Sequence, residues 1–245
     1  MSVLGIIGGT GLARFEALEI AREETVATPF GAPSAPLLHG QLQGRPCVFL
    51  ARHGAGHTLA PHAINYRANV WALRGAGVDR IIAVNAVGGI GDAFAPGTIV
   101  VPAQLIDYSW GRAHSYCDGL DQPLQHVEFT APYSPGLRAA LLEAAARAGI
   151  KAHDGGVYAV TQGPRLETAA EIDRLSRDGC DIVGMTGMPE AALARELELE
   201  YACCATVVNW AAGRGEDIHA ELDYWVEQVT DLAKRLLVAF AELGP

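Results

Sequence analysis

RIIAVNAVGG, residues 80–89, is an apolar run interrupted only by Asn85 after its first residue and closed by two glycines. Its β-branched residues do not alternate with polar ones, so the run predicts a strand that is covered on both faces. Pro102 predicts a bend inside a second run of this kind. The other runs with this character lie at residues 3–9, 45–51, 97–107, 156–163, 181–187 and 202–210.

Segments with helical periodicity alternate with these runs. Thr168 and Glu171 have the spacing of a capping box, and Gly149 fits the position just after a helix. The alternation predicts an α/β fold with three layers, α/β/α, around a central mixed, largely parallel sheet. The length fits one domain over residues 1–245. The predicted helices cover residues 64–77, 134–149, 168–179, 188–199 and 221–243.

Composition narrows the class of protein. The chain has 18 basic and 28 acidic residues and a formal net charge of −10, with no Lys/Arg cluster, which argues against a nucleic-acid partner. No apolar run reaches the roughly 18 residues of a membrane helix. The first residues lack the basic region and cleavage site of a secretory signal, and the five cysteines match no zinc spacing. We therefore expect a cytoplasmic protein with reduced thiols.

A glycine turn follows the first predicted strand. Gly8, Gly9, Thr10 and Gly11 suggest a dinucleotide fingerprint, but Arg14 stands where a third glycine or alanine is needed. The turn can still direct main-chain N–H groups and the Thr10 hydroxyl at a free phosphate. A plain strand-to-helix turn explains the same residues equally well.

Polar or small residues end other strands as well. Arg52 can grip a phosphate with two hydrogen bonds, and His53 can add a third. Asn85 and Ala86 precede a double glycine that lets a ligand approach the backbone, and Thr186 precedes a predicted helix that can bind an anion. Each has an ordinary alternative, such as a solvated strand end or a turn. Together they predict a phosphate pocket, and the nearby histidines have no metal-binding spacing.

Several motifs in fixed order carry a resemblance that covers residues 3 to about 240. The sequence resembles the trimeric purine nucleoside phosphorylase and methylthioadenosine phosphorylase family. The resemblance implies reversible phosphorolysis, in which phosphate attacks C1′ of a purine nucleoside, with inorganic phosphate as co-substrate and no metal or organic cofactor. The motifs are GIIGGTG, ARHG, NYRANVWAL, NAVGG, QGPRLET, GMTGMPEAALARELELEYA and VVNWAAG.

The resemblance also implies roles for individual residues. Met185 would pack under the ribose. His126 matches a residue that reaches into a neighbouring subunit's site, which implies a homotrimer. The residues that would hold phosphate are Thr10, Arg52, His53, Asn85, Ala86 and Thr186.

Asn209, Ala211 and Glu167 bear on the choice of base. Adenine-specific members of the family carry Asp-x-Asp at positions 209 and 211, whereas this chain has Asn209 and Ala211. Asparagine is both a donor and an acceptor, so it can serve a 6-oxo group and N7 and stabilise charge on the leaving purine. Helix capping alone would explain Glu167, but by resemblance it accepts the N1–H that hypoxanthine has and adenine lacks. The pair predicts a 6-oxopurine.

The sugar end is less constrained by the sequence. Leu222 falls at the position where methylthio enzymes have an apolar residue, which favours 5′-methylthioinosine, split into hypoxanthine and 5-methylthioribose 1-phosphate. If His219 occupies that position instead, inosine or guanosine becomes the better substrate. Leu166 replaces the phenylalanine that many 6-oxopurine enzymes place over the base. Methylthioadenosine is the third alternative.

Overall fold

The computed structural model of the protein describes residues 2–9, 12, 15–117, 124–215 and 222–244. Eleven strands form one sheet in this part of the chain. They are β1 (Leu4–Gly8), β2 (Leu18–Glu24), β3 (Leu37–Leu42), β4 (Arg45–Ala51), β5 (Arg80–Gly89), β6 (Ile99–Val101), β7 (Gln104–Asp107), β8 (Ala152–Asp154), β9 (Val157–Val160), β10 (Ile182–Gly184) and β11 (Glu200–Trp210). The helices are α1 (Tyr66–Gly75), α2 (Pro135–Arg147), α3 (Ala169–Arg177), α4 (Glu190–Glu196) and α5 (Leu222–Glu242).

β5 lies at the centre of the sheet and organises it. One edge pairs in parallel with β11 from Arg80 to Gly89. The other edge pairs in parallel with β1 only as far as Ala83, and antiparallel β10 joins it at Gly88. Along that second edge, residues 84–87 belong to no ladder among the described strands. The sheet therefore opens beside the middle of β5.

The remaining pairings confirm a mixed, largely parallel sheet. Of the ten strand pairings in the described part of the chain, six are parallel. The antiparallel pairings include β2 with β3 and β3 with β4, which form a meander at one side. The sheet order from that side is β2-β3-β4-β1-β5-β10-β9-β7.

Helices cover both faces of the sheet, as the sequence predicts. α1 and α4 pack on one face, where their apolar residues join a core with alternate residues of β5 and β11. α2 and α5 pack on the other face with the intervening residues. The neighbouring thiols show the alternation, since Cys203 belongs to the first core and Cys204 to the second. No helix that the structure describes combines the length and apolarity needed to cross a membrane.

The structure contains most of the local features that the sequence predicts. Thr168 and Glu171 form the predicted capping box of α3, and the strand break falls at Pro102, between β6 and β7. β2 and β3 were missed, as was the short β8. β2 exposes five of its seven residues, so its sequence, LEIAREE, lacks the apolar signature of a buried strand.

Candidate active site

A cavity of about 580 Å³ lies beside the edge of β5 that is unpaired in the described part of the chain. Val84, Ala86, Val87 and Gly88 of β5 line it. The chain leaving β10 runs antiparallel to β5 and brings Met185 and Thr186 to the same place. Ligand sites in open α/β sheets lie where neighbouring strands diverge in this way. Further lining residues are Gly9, Leu12, Arg52, His53, Pro164, Leu166, Glu167, Thr206, Val208, Asn209, Ala211, Val226 and Thr230.

Arg52 lies at the end of the cavity where β1 and β4 end. Only 1% of the residue is exposed, and its Nε and Nη2 donate to the carboxylate of Glu190 at 2.8 and 2.9 Å. Nη1 donates to the carbonyl of Val84 at 3.1 Å. The sequence predicts that Arg52 makes two hydrogen bonds to phosphate. In the structure, Arg52 makes this pair of hydrogen bonds to the Glu190 carboxylate. A guanidinium has five N–H donors, so two remain for a ligand.

Glu190 lies in the first turn of the helix that the sequence predicts over residues 188–199, and its link to the site was missed. It is fully buried at the start of α4, where the Tyr201 hydroxyl donates to it at 2.8 Å. Burial lowers the pKa of Arg52, but the charge and hydrogen bonds of Glu190 outweigh that effect and leave the pKa raised. The guanidinium is thus held charged and oriented. Arg52 and Glu190 are 138 residues apart in the sequence, so local sequence spacing does not reveal that they pair.

His53 lines the same end of the cavity. Its Nδ1 lies 2.8 Å from the Leu59 carbonyl, which can only accept, so Nδ1 carries a proton. Burial lowers the pKa of His53, the hydrogen bond to Leu59 opposes this shift, and the nearby charges of Arg52 and His57 leave the pKa lowered. In the neutral ring Nε2 then carries a lone pair, and the His53 side chain lines the cavity. Such a ring accepts a hydrogen bond from a protonated phosphate oxygen.

Thr186 lines the cavity, whereas Asn85 supports it from behind. The Asn85 side chain is buried behind the cavity wall, where its Nδ2 donates to the Thr186 Oγ1 at 2.7 Å. Its Oδ1 accepts from the Cys203 thiol at 3.5 Å. Asn85 thus orients the Thr186 hydroxyl, and Thr186 lines the cavity. Ala86, next in the strand, is exposed to the opening.

The opposite end of the cavity contains Glu167. Its Oε1 accepts from the Thr161 hydroxyl at 2.6 Å, which leaves Oε2 for a ligand. Leu166 lines the cavity beside it and is 44% exposed. Thr161 belongs to no recognisable sequence motif, so its role as the hydrogen-bond donor to Glu167 was missed.

Asn209 enters the cavity because of a β-bulge. The register of β11 against β5 shifts between Val207 and Asn209, so the regular alternation of side chains breaks there. Val208 and Asn209 consequently both line the cavity. One Asn209 N–H donates to the Trp210 carbonyl at 2.6 Å, and within the described part of the chain this leaves one N–H and the amide oxygen for a ligand. Ala211 is buried beside them.

The residues predicted for the sugar end are only partly brought together. Met185 lines the cavity. Leu222 is half-buried and packs on the core of α2 and α5, while the α5 residues in the described cavity wall are Val226 and Thr230. His126 is exposed and lies outside that wall. Thr10 and His219 fall outside the described residues.

The geometry defines a class: an α/β protein with a small-molecule cavity that joins anion-binding groups to an amide and a carboxylate. A family model described as the phosphorylase superfamily matches residues 3–242. The chain belongs to this superfamily and is an enzyme of the nucleoside phosphorylase type, a pentosyltransferase.

Three relatives illustrate the match. A probable S-methyl-5′-thioinosine phosphorylase of Pseudomonas syringae is 58% identical over 215 residues, 87% of each chain. A probable 6-oxopurine nucleoside phosphorylase of Thermococcus kodakarensis is 45% identical, covering 100% of this chain and 94% of the relative. The solved structure of Schistosoma mansoni methylthioadenosine phosphorylase with adenine has a TM-score of 0.92 at 33% identity, covering 99% of this chain and 92% of that one. The predicted fold is confirmed.

Proposed function

We propose that the enzyme catalyses phosphorolysis of a 6-oxopurine nucleoside, with S-methyl-5′-thioinosine as the preferred substrate. The products are hypoxanthine and 5-methylthioribose 1-phosphate. One observation carries the proposal: Glu167 and Asn209 line the same cavity as Arg52, His53 and Thr186. The naming of relatives at 54–58% identity as probable S-methyl-5′-thioinosine phosphorylases supports it.

The phosphate end supplies the nucleophile. The two remaining Arg52 donors and the Thr186 hydroxyl bind phosphate oxygens, and neutral His53 accepts from a protonated one. Ala86 lets the anion approach the main chain of β5, and Thr10 adds its hydroxyl by the family resemblance. These contacts place a phosphate oxygen next to C1′ of the sugar, above Met185.

The base end takes up the leaving group. A phosphate oxygen bonds to C1′ as the C1′–N9 bond breaks, and the electron pair passes to the purine, which then takes a proton from solvent. Asn209 stabilises the developing charge by donating its remaining N–H to O6, and its amide oxygen accepts from N7–H once the leaving purine is protonated at N7. Glu167 accepts from N1–H through Oε2. No metal or organic cofactor enters this reaction.

Base selection follows from the same contacts. Adenine has no N1 proton, so it would leave the Glu167 carboxylate facing a lone pair in a half-buried site. A polar group left unpaired in this way costs about 1–3 kcal/mol, and more when it is charged. The cavity wall at α5 is apolar at Val226 and polar at Thr230, so a methylthio group contacts the former.

We also propose that the enzyme is a cytoplasmic homotrimer. Trp110 and Leu124 are 71% and 75% exposed, and both lie in the segment between β7 and α2, which also contains the exposed His126. We assign this segment to the contact between subunits, where these two apolar side chains would be covered. In the trimer, this segment carries His126 to the site of a neighbouring subunit.

A panel of four nucleosides tests the proposed function. 5′-Methylthioinosine, inosine, guanosine and methylthioadenosine are incubated with and without phosphate, and the released base is separated by chromatography. We expect hypoxanthine from 5′-methylthioinosine only when phosphate is present, and a kcat/KM for methylthioadenosine at least 100-fold lower, as for a site that rejects an unpaired analogue. Faster cleavage of methylthioadenosine, or base release without phosphate, contradicts the proposal.

A further inference from the structure

Arg112 is a nearly buried cation whose hydrogen bonds to the described residues all go to neutral oxygen atoms. It lies in the irregular segment after β7 and is 9% exposed. Its guanidinium donates to four main-chain carbonyls, to an amide oxygen and to a phenol. These acceptors are Met185 O at 2.8 Å, Met188 O at 2.6 Å, Thr161 O at 3.1 Å, Gln162 O at 2.8 Å, Gln162 Oε1 at 3.2 Å and Tyr66 OH at 3.4 Å.

These contacts join the two segments that carry the two ends of the cavity. β9 and β10 are parallel neighbours, and the last main-chain bond between their ends runs from Thr161 N to Gly184 O at 2.8 Å. Beyond it the chains separate. One continues through Gln162 to Glu167, and the other continues through Met185 to Thr186. The guanidinium of Arg112 bridges the two chains at the point of separation.

A third part of the wall is tied to the same group. The Tyr66 hydroxyl accepts from Arg112 and donates to the Pro61 carbonyl at 3.0 Å, and Pro61 lines the cavity. The guanidinium carbon lies 5.5 Å from the centre of the Tyr66 ring, which adds a cation–π contact. Three separate stretches of cavity wall therefore converge on one side chain.

We propose that Arg112 is a positioning residue that sets the spacing between the purine-binding and phosphate-binding ends of the cavity. The proposal rests on the function proposed above. Holding the Met185 carbonyl fixes the Met185–Thr186 peptide plane, because that plane is rigid, and so fixes where Thr186 projects. Holding the Thr161 and Gln162 carbonyls fixes the start of the segment that ends at Glu167. Only a planar group with five donors can do both at once.

Arg112→Lys tests this role, with Arg138→Lys as the matched control. Arg138 also donates to main-chain carbonyls, those of Val101 and Pro102, but lies away from the cavity wall. Lysine keeps the charge and loses the span. Misplacing reacting groups by about 1 Å can cost roughly 100-fold in rate. We expect the KM values for phosphate and nucleoside both to rise about tenfold or more in Arg112→Lys and to change less than twofold in Arg138→Lys.

A binding measurement separates positioning from general destabilisation. The Kd of hypoxanthine is measured by calorimetry with and without saturating phosphate, and the ratio of the two values reports how strongly the ends of the cavity communicate. We expect that ratio to fall toward one in Arg112→Lys while the melting temperature stays close to that of Arg138→Lys. An unchanged ratio and unchanged KM values overturn the proposal.

Gln162→Leu provides a second variant if Arg112→Lys does not fold. It keeps Arg112 and removes the side-chain oxygen that accepts from Arg112 Nε at 3.2 Å and from Trp110 N at 3.1 Å, so we expect a smaller shift in the same direction, and no shift overturns the proposal. Wild-type turnover in the same assays tests the proposed function separately. An inactive wild-type enzyme counts against the phosphorolysis, whereas an active wild type with unaffected variants counts against Arg112 alone.

Discussion

Asn209 shows how a single amide can select a nucleobase. The β-bulge at Val208 places it in the cavity, and one of its two N–H groups is already used by the Trp210 carbonyl. The remaining N–H matches a 6-oxo group, and the amide oxygen matches N7 once the leaving base is protonated there. A carboxylate in the same place offers only acceptors, which match a 6-amino group.

Replacing Asn209 and Ala211 together by aspartate should therefore shift base preference toward the 6-amino substrate. We expect the ratio of kcat/KM for 5′-methylthioinosine over methylthioadenosine to fall about 100-fold, because a mismatched polar pair in the site is rejected. The ratio is measured with both nucleosides in one competition assay. Ala211→Ser, which adds a polar group without charge, is the control. If the double variant keeps the wild-type ratio, the role assigned to Asn209 is wrong.

His53 should make the stability of the fold depend on pH. Its pKa in the folded state is lowered from the ordinary value of 6.5, chiefly by burial, so the unfolded chain binds more protons between the two pKa values. The free energy of unfolding therefore falls as the pH decreases below about 6.5 toward the folded pKa. His53→Asn keeps a donor for the Leu59 carbonyl and removes the titration.

The difference in unfolding free energy between wild type and His53→Asn isolates this effect. Urea titrations at pH 5 to 8 measure it. We expect the wild type to lose stability relative to the variant on the acid side of that range. Parallel curves for the two proteins across the range would show that His53 does not carry the shift.

At the scale of elements, the segment after β10 depends on glycine because Tyr158 lies against it. A Cβ at Gly184 would lie 2.5 Å from the Tyr158 hydroxyl oxygen, and one at Gly187 would lie 2.9 Å from its ring. Tyr158 is completely buried and cannot move aside easily. These two glycines bracket Met185 and Thr186, so the close approach supports the shape of the cavity wall.

Gly184→Ala should therefore damage both stability and catalysis. Overpacking of a buried contact costs about 1–3 kcal/mol, and displacement of Thr186 should raise the KM for phosphate. Gly75→Ala is the control, since nothing lies within 4 Å of a Cβ at that helix position, and it should leave the enzyme unchanged or slightly more stable. Adding Tyr158→Phe should restore part of the loss. Thermal unfolding and phosphate KM values report both effects.

The elements also show what the sequence could and could not reveal. Buried strands such as β5 and β11 were predicted because their apolar runs record burial on two faces. The exposed edge strand β2 has no such apolar run in its sequence. The Glu190 and Arg112 contacts were missed for another reason, because each joins side chains to partners about 50 to more than 130 residues away. Local spacing contains no information on such pairs, and the register shift near Val208 is likewise set by β5.

At the scale of the whole molecule, His126 tests the proposed trimer. The side chain is exposed and lies outside the cavity wall of its own chain. We expect His126→Ala to raise the KM for nucleoside about tenfold, as for loss of one hydrogen bond to a bound ligand, without changing the mass of the assembly. Steady-state kinetics and light scattering measure the two quantities. A monomeric wild-type enzyme, or a KM that does not change, would contradict the shared site.

The buried pair of Arg52 and Glu190 has a consequence for how this protein can evolve. Removing either partner leaves an unpaired charge in the core, which costs about 3–5 kcal/mol, whereas exchanging both for apolar residues can be nearly neutral to the fold. Evolution therefore cannot replace these two residues one at a time without passing through a strongly destabilised intermediate. We expect descendants either to inherit both residues together or to lose both at once, and with them the enzyme's hold on its anionic co-substrate.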